Sequence, residues 1–397
     1  MDRGKFIHLE KPCRENPSSA IPHARRKDDG ATGRSEWQRI VCASSRAADD
    51  LVFAGAAAKG SSVISAVHFQ NFKALREASV RLEQFNLCIG PNGSGKTSLI
   101  QALLQSGTLA AQPGLHVHEV KPRAGGPLIE FTFHPPYAAI RVRLMCVSEQ
   151  QQCDQLVVDH PPGPEGEALW SALRTRLVTI RGYLFDHYAM AVPAKLADGA
   201  ELTSNAGNLA AVLARRREQD PSVMARFEEE FCRIMPEFSG LDLRPDAAGH
   251  FALRVKTVEG GESISAEDLS QGALYLLAIL ALSFDPQPPA LVCLEEADRG
   301  VHPRLLREVR DALYRLAYPK DCGLDREPVQ VVTTTHSPYL LDLFREHPEE
   351  IVLASKRGPA ATFERLSDRA DLVELIREAH LGDLWYSGIL GGVPGEG

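Results

Sequence analysis

The stretch GPNGSGKTSLIQALL, residues 90–104, decides the fold expected of this chain. It has the G-x-x-x-x-G-K-[ST] spacing of a phosphate-binding loop. The loop follows a strand-like run and opens a helical pattern, which is the context that such a loop requires. Its glycines let the backbone curl so that several N–H groups converge on a phosphate at the positive end of the helix dipole. A chance glycine turn is the alternative, and the two correct flanks argue against it.

Each residue type in this loop has an expected role. Lys96 is expected to reach the β- and γ-phosphates of ATP, and the hydroxyl of Thr97 is expected to ligate Mg²⁺. The residues expected to contact the nucleotide are Gly90, Pro91, Asn92, Gly93, Ser94, Gly95, Lys96, Thr97 and Ser98. The cofactors implied by the loop are therefore ATP and Mg²⁺.

A second segment, ALVCLEEAD at residues 290–298, is an apolar strand pattern that ends on two adjacent carboxylates. Such a pair can direct one carboxylate toward a metal ion and the other toward an attacking water. We predict that Glu295 binds Mg²⁺ and that Glu296 acts as the general base. Two glutamates at a strand end often form a solvated turn, but a P-loop earlier in the same chain favours the functional interpretation.

Two further segments supply candidate residues. In DLSQGALYLLAIL, residues 268–280, Ser270 is expected to cap a helix whose N-terminus stays open to an anion at Gly272; an ordinary capped core helix fits the pattern equally well. In QVVTTTHSPYLL, residues 330–341, His336 follows a buried strand pattern, where ligands bind in open α/β sheets. A structural role for a lone histidine is the alternative there.

The ordered part of the chain is expected to begin near residue 61. Residues 1 to about 60 mix Pro, Ser, Gly and both charge signs without periodicity, so we expect disorder, although a mis-set start codon explains them equally well. Alternation begins at SSVISAVHFQNF, and SVRLEQFNLCIG at residues 79–90 gives a second strand signal. The helical pattern after the loop is expected to stop at Gly107.

The remaining pattern predicts an α/β fold with a mainly parallel core sheet, an antiparallel β subdomain and a helical insertion at about 165–238. Two alternating runs near residues 127–147 favour antiparallel strands. Two nearly continuous apolar runs with a helix between them, from about residue 290 to 335, favour a buried parallel sheet. A hairpin is predicted near residues 244–265.

Composition narrows the class of protein. The net charge of −8 argues against a generally basic nucleic-acid binder, and the local patch at residues 213–218 is either a nucleic-acid contact or a solvated helix face. The eight cysteines form no C-x-x-C pair, so we expect reduced thiols and no zinc site. No apolar run is long enough to cross a bilayer and no signal peptide is visible, so we expect a cytoplasmic protein without a membrane partner.

In chain order, the segments at residues 71–99, 269–280, 291–303 and 331–341 resemble those of SMC/RecF-like, ABC-type ATPases. The chain is similar to prokaryotic predicted AAA family ATPases that lack a long coiled-coil arm, over residues 63–393. The expected ATPase domain is accordingly residues 61–393, a P-loop NTPase of ABC/SMC-head type.

The resemblance implies a role for each matched position. Residues 90–97 correspond to the Walker A loop, Glu295 to the metal-binding Walker B carboxylate and Glu296 to the catalytic glutamate. Ser270 and Gly272 correspond to the ABC signature, which touches the γ-phosphate bound by a second subunit. Asp298 begins the D-loop and His336 is the switch histidine, while the Q-loop residue is not placed. The implied cycle is ATP-dependent formation of a homodimer, released by hydrolysis.

Three departures from the family pattern predict a slow ATPase: Glu295 in place of aspartate, Gln271 within the signature, and EEAD in place of EEPE. An alternative function is the ATPase subunit of an OLD-like phage-defence or toxin system, with any nuclease on a separate partner chain. A DNA-repair ATPase that binds DNA, and a nucleotide-binding module that does not hydrolyse ATP, are further alternatives.

Overall fold

The computed structural model describes residues 62–112, 125–145, 153–199, 201–259, 261–358 and 360–391. Its strands are β1 (Ile64–Phe72), β2 (Leu75–Arg81), β3 (Phe85–Ile89), β4 (Leu128–Phe133), β5 (Arg141–Met145), β6 (Gln155–Asp159), β7 (Arg181–Tyr183), β8 (Ala194–Lys195), β9 (Phe238–Pro245), β10 (His250–Thr257), β11 (Ser263–Ser265), β12 (Leu291–Leu294), β13 (Gln330–Thr335), β14 (Ile351–Arg357) and β15 (Ala360–Arg365). The prediction of disorder for residues 1–60 lies outside the described residues.

The α-helices of the described ranges are α1 (Lys96–Ala111), α2 (Pro164–Val178), α3 (His187–Ala191), α4 (Leu209–Gln219), α5 (Pro221–Ile234), α6 (Gln271–Ser283), α7 (Leu306–Ala317), α8 (Pro338–Asp342), α9 (Leu372–Glu378) and α10 (Leu381–Tyr386). None of these helices is both long and apolar enough to span a bilayer.

The central sheet has the strand order β15-β14-β3-β13-β12-β7 within the described residues. Its neighbours pair in parallel, except for the antiparallel edge pair of β14 and β15. Strands β3, β12 and β13 are buried along their whole length, as expected for parallel strands covered on both faces. The predicted buried parallel sheet is confirmed, and the carboxyl ends of these three strands lie at one edge.

An antiparallel sheet in the order β2-β1-β4-β5-β6 covers one side of the central sheet. Its inner face packs with α1, α2 and one face of the central strands in a single hydrophobic core. The buried side chain of Gln330 joins the two sheets, because its Oε1 accepts from Ile64 N at 2.9 Å and its Nε2 donates to Ile64 O at 2.7 Å. The predicted antiparallel subdomain is therefore attached to the central sheet through apolar packing and a buried amide.

The opposite face of the central sheet packs against α6 and the helices around it. Residues 272–283 of α6 are all buried, so this apolar helix is enclosed by protein. A small sheet of β8, β9, β10 and β11 flanks it. The hairpin predicted within residues 244–265 is the antiparallel pair of β10 and β11, and β9 pairs with the other edge of β10.

The structure differs from the sequence-based prediction at three places. Helix α1 continues past Gly107 to Ala111. Gly107 is a point of close contact with α2 and does not end the helix: a Cβ there would lie 2.6 Å from Leu177 O. The single strand signal at residues 79–90 divides into the end of β2 and all of β3, which belong to different sheets. The mainly helical stretch at 165–238 also contains β7, which joins the central sheet.

Candidate functional site

The loop between β3 and α1 is shaped by its glycines. Gly93 and Gly95 have φ values of 75° and 95°, in the left-handed region where a side chain is strained. A Cβ on Gly90 would lie 2.2 Å from Ala354 O in the neighbouring strand β14. The loop therefore favours glycine at three positions. Two of them have positive φ, and at the third a side chain would displace the backbone of β14.

Lys96 begins α1 and folds back over the loop. Its Nζ donates to Gly90 O at 2.6 Å and to Pro91 O at 3.0 Å, and the residue is 8% exposed. Burial lowers the pKa of Lys96 from its ordinary value. Beside it, the buried Ser94 Oγ has no hydrogen-bond partner within the described part of the chain. A partly desolvated ammonium group and an unpaired hydroxyl at a helix N-terminus together fit the oxygens of a phosphate group.

The two residues predicted to ligate Mg²⁺ are in contact. Thr97 Oγ1 donates to Glu295 Oε2 at 3.0 Å, which joins the start of α1 to the end of β12. The described residues contain no cluster of three His, Cys, Asp or Glu side chains able to hold a metal ion. This oxygen pair nevertheless fits Mg²⁺, because Mg²⁺ in nucleotide sites takes only one or two protein ligands and completes its shell with phosphates and water.

Glu296 has an unusual backbone conformation for a side-chain-bearing residue, with φ of 52°. Its N–H donates to Thr334 Oγ1 at 3.0 Å, and the next amide, Ala297 N, donates to Thr334 O at 3.1 Å. The Glu296 carboxylate is 46% exposed and lies 3.7 Å from the Arg299 guanidinium. The carboxylate therefore remains available to solvent at the carboxyl edge of the sheet.

His336 directly follows β13, the strand between β3 and β12. His336 is exposed, and partial desolvation, followed by the charge of Lys96, lowers the pKa of His336. The preceding Thr335 Oγ1 donates to Asp298 Oδ1 at 2.6 Å, and burial raises the pKa of Asp298. The start of the predicted D-loop is thus bonded to the strand that carries the histidine.

The carboxyl ends of β3, β12 and β13 meet around a cavity of about 250 Å³. It is lined by Asn92, Gly93, Ser94, Gly95, Lys96, Thr97, Ser98, Glu295, Glu296 and His336, all predicted from the sequence, together with Lys73, Ala74 and Thr334. Gly90 and Pro91 lie outside the lining and bond to Lys96 through their carbonyls. Lys73 and Ala74 lie in the segment 71–99 that carries the family resemblance, but no site role was predicted for them, since the β1–β2 turn reaches the cavity only through sheet packing.

Ser270 and Gly272 do not line this cavity. Ser270 caps α6 as predicted, because its Oγ accepts from Ala273 N at 3.2 Å. Gly272 packs against the segment that follows Asp298: a Cβ on Gly272 would lie 2.8 Å from Gly300 O. The signature segment therefore contacts the D-loop segment of its own chain and does not line the P-loop cavity.

The arginine-rich stretch at residues 213–218 is largely used inside the protein. Arg216 Nη1 donates to Ala281 O at 2.7 Å, and Arg217 Nη2 contacts Glu228 Oε1 at 2.6 Å. Neither interpretation from the sequence holds for Arg216, which is buried and connects α4 to α6. Arg217 connects α4 to α5 and remains 36% exposed, so a partly solvated face is retained there.

Comparison with known proteins agrees with this geometry. Residues 63–107 match the family model described as "AAA ATPase domain", and residues 199–342 match the one described as "AAA domain, putative AbiEii toxin, Type IV TA system". No curated protein sequence is significantly similar to the chain.

Among solved structures, the chain is similar to an SMC head bound to the C-winged helix domain of ScpA, with a TM-score of 0.50 and 14% identity over 76% of this chain and 96% of that one. It is also similar to an SMC head from Pyrococcus furiosus bound to the C-terminal domain of ScpA, with a TM-score of 0.49 and 14% identity over 79% and 99% of the two chains. For the SMC head domain from Thermotoga maritima, the TM-score is 0.43, with 14% identity over 76% and 98%.

The fold and the loop define a P-loop NTPase with the head-domain fold of SMC proteins, which confirms the predicted fold class. The two AAA-type family models match residues 63–107 and 199–342, and these matches agree with the resemblance to SMC/RecF-like ABC-type ATPases that the sequence predicted.

Proposed function

We propose that the protein hydrolyses ATP with Mg²⁺ and uses the nucleotide to control the association of two copies of itself. The observation that carries this proposal is the convergence of Lys96, Thr97, Glu295, Glu296 and His336 at the ends of three neighbouring strands around one cavity. Open α/β sheets bind ligands at this edge. We assign the nucleotide to this cavity and the ATPase domain to residues 61–393.

Each side chain has a defined task in this proposal. Lys96 exchanges its two carbonyl partners for oxygens of the β- and γ-phosphates, and Thr97 with Glu295 holds the metal ion, whose charge neutralises the phosphates. Glu296 accepts a proton from the attacking water, and His336 contacts the γ-phosphate. The substitutions in the metal-binding and signature segments lead us to expect fewer than about 10 turnovers per second, the typical enzyme rate.

The position of the signature segment supports a site completed by a second subunit. Ser270 and Gly272 lie outside the cavity of their own chain, against the Gly300 segment. If they contact the γ-phosphate, as the family resemblance implies, they contact the one bound by another copy. ATP then acts as the link between two copies, and its hydrolysis separates them.

The solution mass of Glu296→Gln, measured by light scattering with and without Mg-ATP, tests this proposal. Loss of the general base should trap the ATP-bound state, so we expect a shift from monomer to dimer on adding Mg-ATP. The control is Glu296→Gln combined with Lys96→Ala, which should stay monomeric because phosphate binding is lost. A Glu296→Gln monomer that demonstrably binds ATP would contradict the dimerisation switch.

A second candidate is the ATPase component of a toxin or phage-defence system. The match of residues 199–342 to a family model that names the AbiEii toxin favours it. In this case the ATP-dependent dimer controls a separate partner chain, such as a nuclease. The ScpA-bound SMC heads illustrate that proteins of this fold bind partner domains. Copurification of such a chain with Glu296→Gln in the presence of ATP would support this candidate. ATP-dependent binding of duplex DNA that weakens with salt would instead favour a DNA-repair role.

A further inference from the structure

Three consecutive threonines at the end of β13 all bond to β12 or to the segment after it. Thr333 Oγ1 donates to Leu294 O at 2.9 Å, Thr334 Oγ1 accepts from Glu296 N at 3.0 Å, and Thr335 Oγ1 donates to Asp298 Oδ1 at 2.6 Å. All three threonines are buried. The hydroxyls thus reach every second residue across the turn that contains the two glutamates.

Thr334 has a distinct place among them. Successive side chains of a strand point to opposite faces, so Thr334 faces away from Thr333 and Thr335. It lines the nucleotide cavity, which its two threonine neighbours do not. It also bonds the turn twice, through its hydroxyl to Glu296 N and through its carbonyl to Ala297 N at 3.1 Å.

The turn needs such restraint because Glu296 is left-handed, with φ of 52°. A non-glycine residue in that region is strained, and the conformation persists only where the surroundings over-determine it. Here the amides of three successive residues are fixed: Glu295 N donates to Tyr183 O at 2.9 Å, and Glu296 N and Ala297 N donate to Thr334. The direction of the Glu296 side chain is set by this left-handed turn.

We propose that Thr334 is a positioning residue for hydrolysis: its hydroxyl holds Glu296 in the left-handed conformation and so aims the carboxylate at the attacking water. This inference rests on the proposed role of Glu296 as the general base. It requires a hydrogen-bond acceptor at Thr334, since a valine of the same shape would leave the Glu296 amide without a partner and release the turn. A serine would keep the acceptor and lose only a methyl group.

The test compares Thr334→Val, Thr334→Ser and wild type in steady-state ATP hydrolysis and in ATP binding. We expect kcat to fall about 10- to 100-fold in Thr334→Val, the effect of displacing a catalytic group by a fraction of an ångström to an ångström. The dissociation constant for ATP should stay within about twofold, because ground-state binding does not use the Glu296 carboxylate. Thr334→Ser should restore kcat to within about threefold of wild type.

The matched control is Thr179→Val, since Thr179 Oγ1 accepts from Ala290 N at 3.1 Å just before the other end of β12. It removes the same kind of bond far from Glu296, so kcat should be unchanged. Amide hydrogen exchange should quicken around residues 295–297 in Thr334→Val alone.

Three outcomes would overturn the inference. Unchanged kcat in Thr334→Val, in a wild type that hydrolyses ATP, would remove Thr334 from the mechanism and leave the proposed function intact. A matching loss of ATP affinity would mean that the hydroxyl contacts the nucleotide directly. Absence of hydrolysis by wild type would overturn the proposed function and this inference together.

Discussion

The Thr97 hydroxyl donates a hydrogen bond to Glu295 Oε2 at 3.0 Å, across 198 residues of sequence. The contact links the helix that follows the phosphate loop to the strand that carries the two glutamates. Both oxygens are suited to Mg²⁺. In the proposed site, the metal ion would therefore bind between the phosphate loop and the strand that carries Glu296.

We predict that Glu295→Ala lowers kcat at least about 100-fold, since the metal ion loses its carboxylate ligand and with it several kcal/mol of transition-state stabilisation. Chelation of divalent ions with EDTA should abolish activity in wild type. Glu201→Ala, which removes an exposed partner of Arg181, is the control and should retain full activity. Wild-type turnover that persists in EDTA would contradict the metal assignment.

Lys96→Ala should abolish measurable ATP binding in isothermal titration calorimetry. Lys96 is the buried cation of the cavity, which Lys73 also lines from an exposed position, and its loss removes the desolvated positive partner of the phosphates. Lys256→Ala removes an exposed lysine on β10 and should bind ATP like wild type. Equal affinities for the two variants would show that the nucleotide is bound elsewhere.

A comparison of Gly95→Ala with Gly249→Ala distinguishes the backbone strain of alanine at positive φ from a specific loss of ATP binding. Both glycines have positive φ, 95° and 79°, so each alanine should lower the free energy of unfolding by about 1–2 kcal/mol. A Cβ on Gly95 also meets Leu75 Cδ2 at 2.8 Å, whereas Gly249 has open space. Thermal melts should show both effects, and only Gly95→Ala should lose ATP binding. Retained binding in Gly95→Ala would argue against a tightly shaped loop.

The pKa of His336 gives a pH-dependent prediction. Partial desolvation and the charge of Lys96 lower it from 6.5, and they outweigh the nearby carboxylates of Asp298 and Glu296. The folded state therefore binds this proton less readily than the unfolded state. The stability contributed by the neutral ring is fully present above pH 6.5 and is lost as the pH falls through the lowered pKa. Between about pH 7 and pH 5, the range in which histidine titrates, the melting temperature should fall slightly more in wild type than in His336→Gln. Identical pH profiles would contradict the lowered pKa.

Local patterns in the sequence identified the parts of the site whose chemistry is local. The P-loop glycines, the glutamate pair and the cap at Ser270 follow from spacing and flanking patterns within one segment. The parallel strands were evident because both faces of β12 and β13 are covered, which leaves continuous apolar runs. These predictions needed no knowledge of which segments become neighbours.

Contacts between distant segments could not be predicted in the same way. Gly107 has the pattern of a helix end, yet it serves the approach of two helices. Arg216 belongs to an arginine run that suggests a surface, yet it is buried against Ala281 O. The three-residue strand β7 is too short to give a period, although Tyr183 O anchors Glu295 N. Each depends on tertiary pairing, which a single sequence does not encode locally.

The central claim is that Glu296 drives ATP hydrolysis in this cavity. The most direct test is phosphate release from Mg-ATP by wild type and by Glu296→Gln, both purified identically. We predict slow, measurable turnover by wild type and a rate lower by at least about 100-fold in the variant, the contribution typical of a general base. Equal rates of phosphate release by the two proteins would contradict the account.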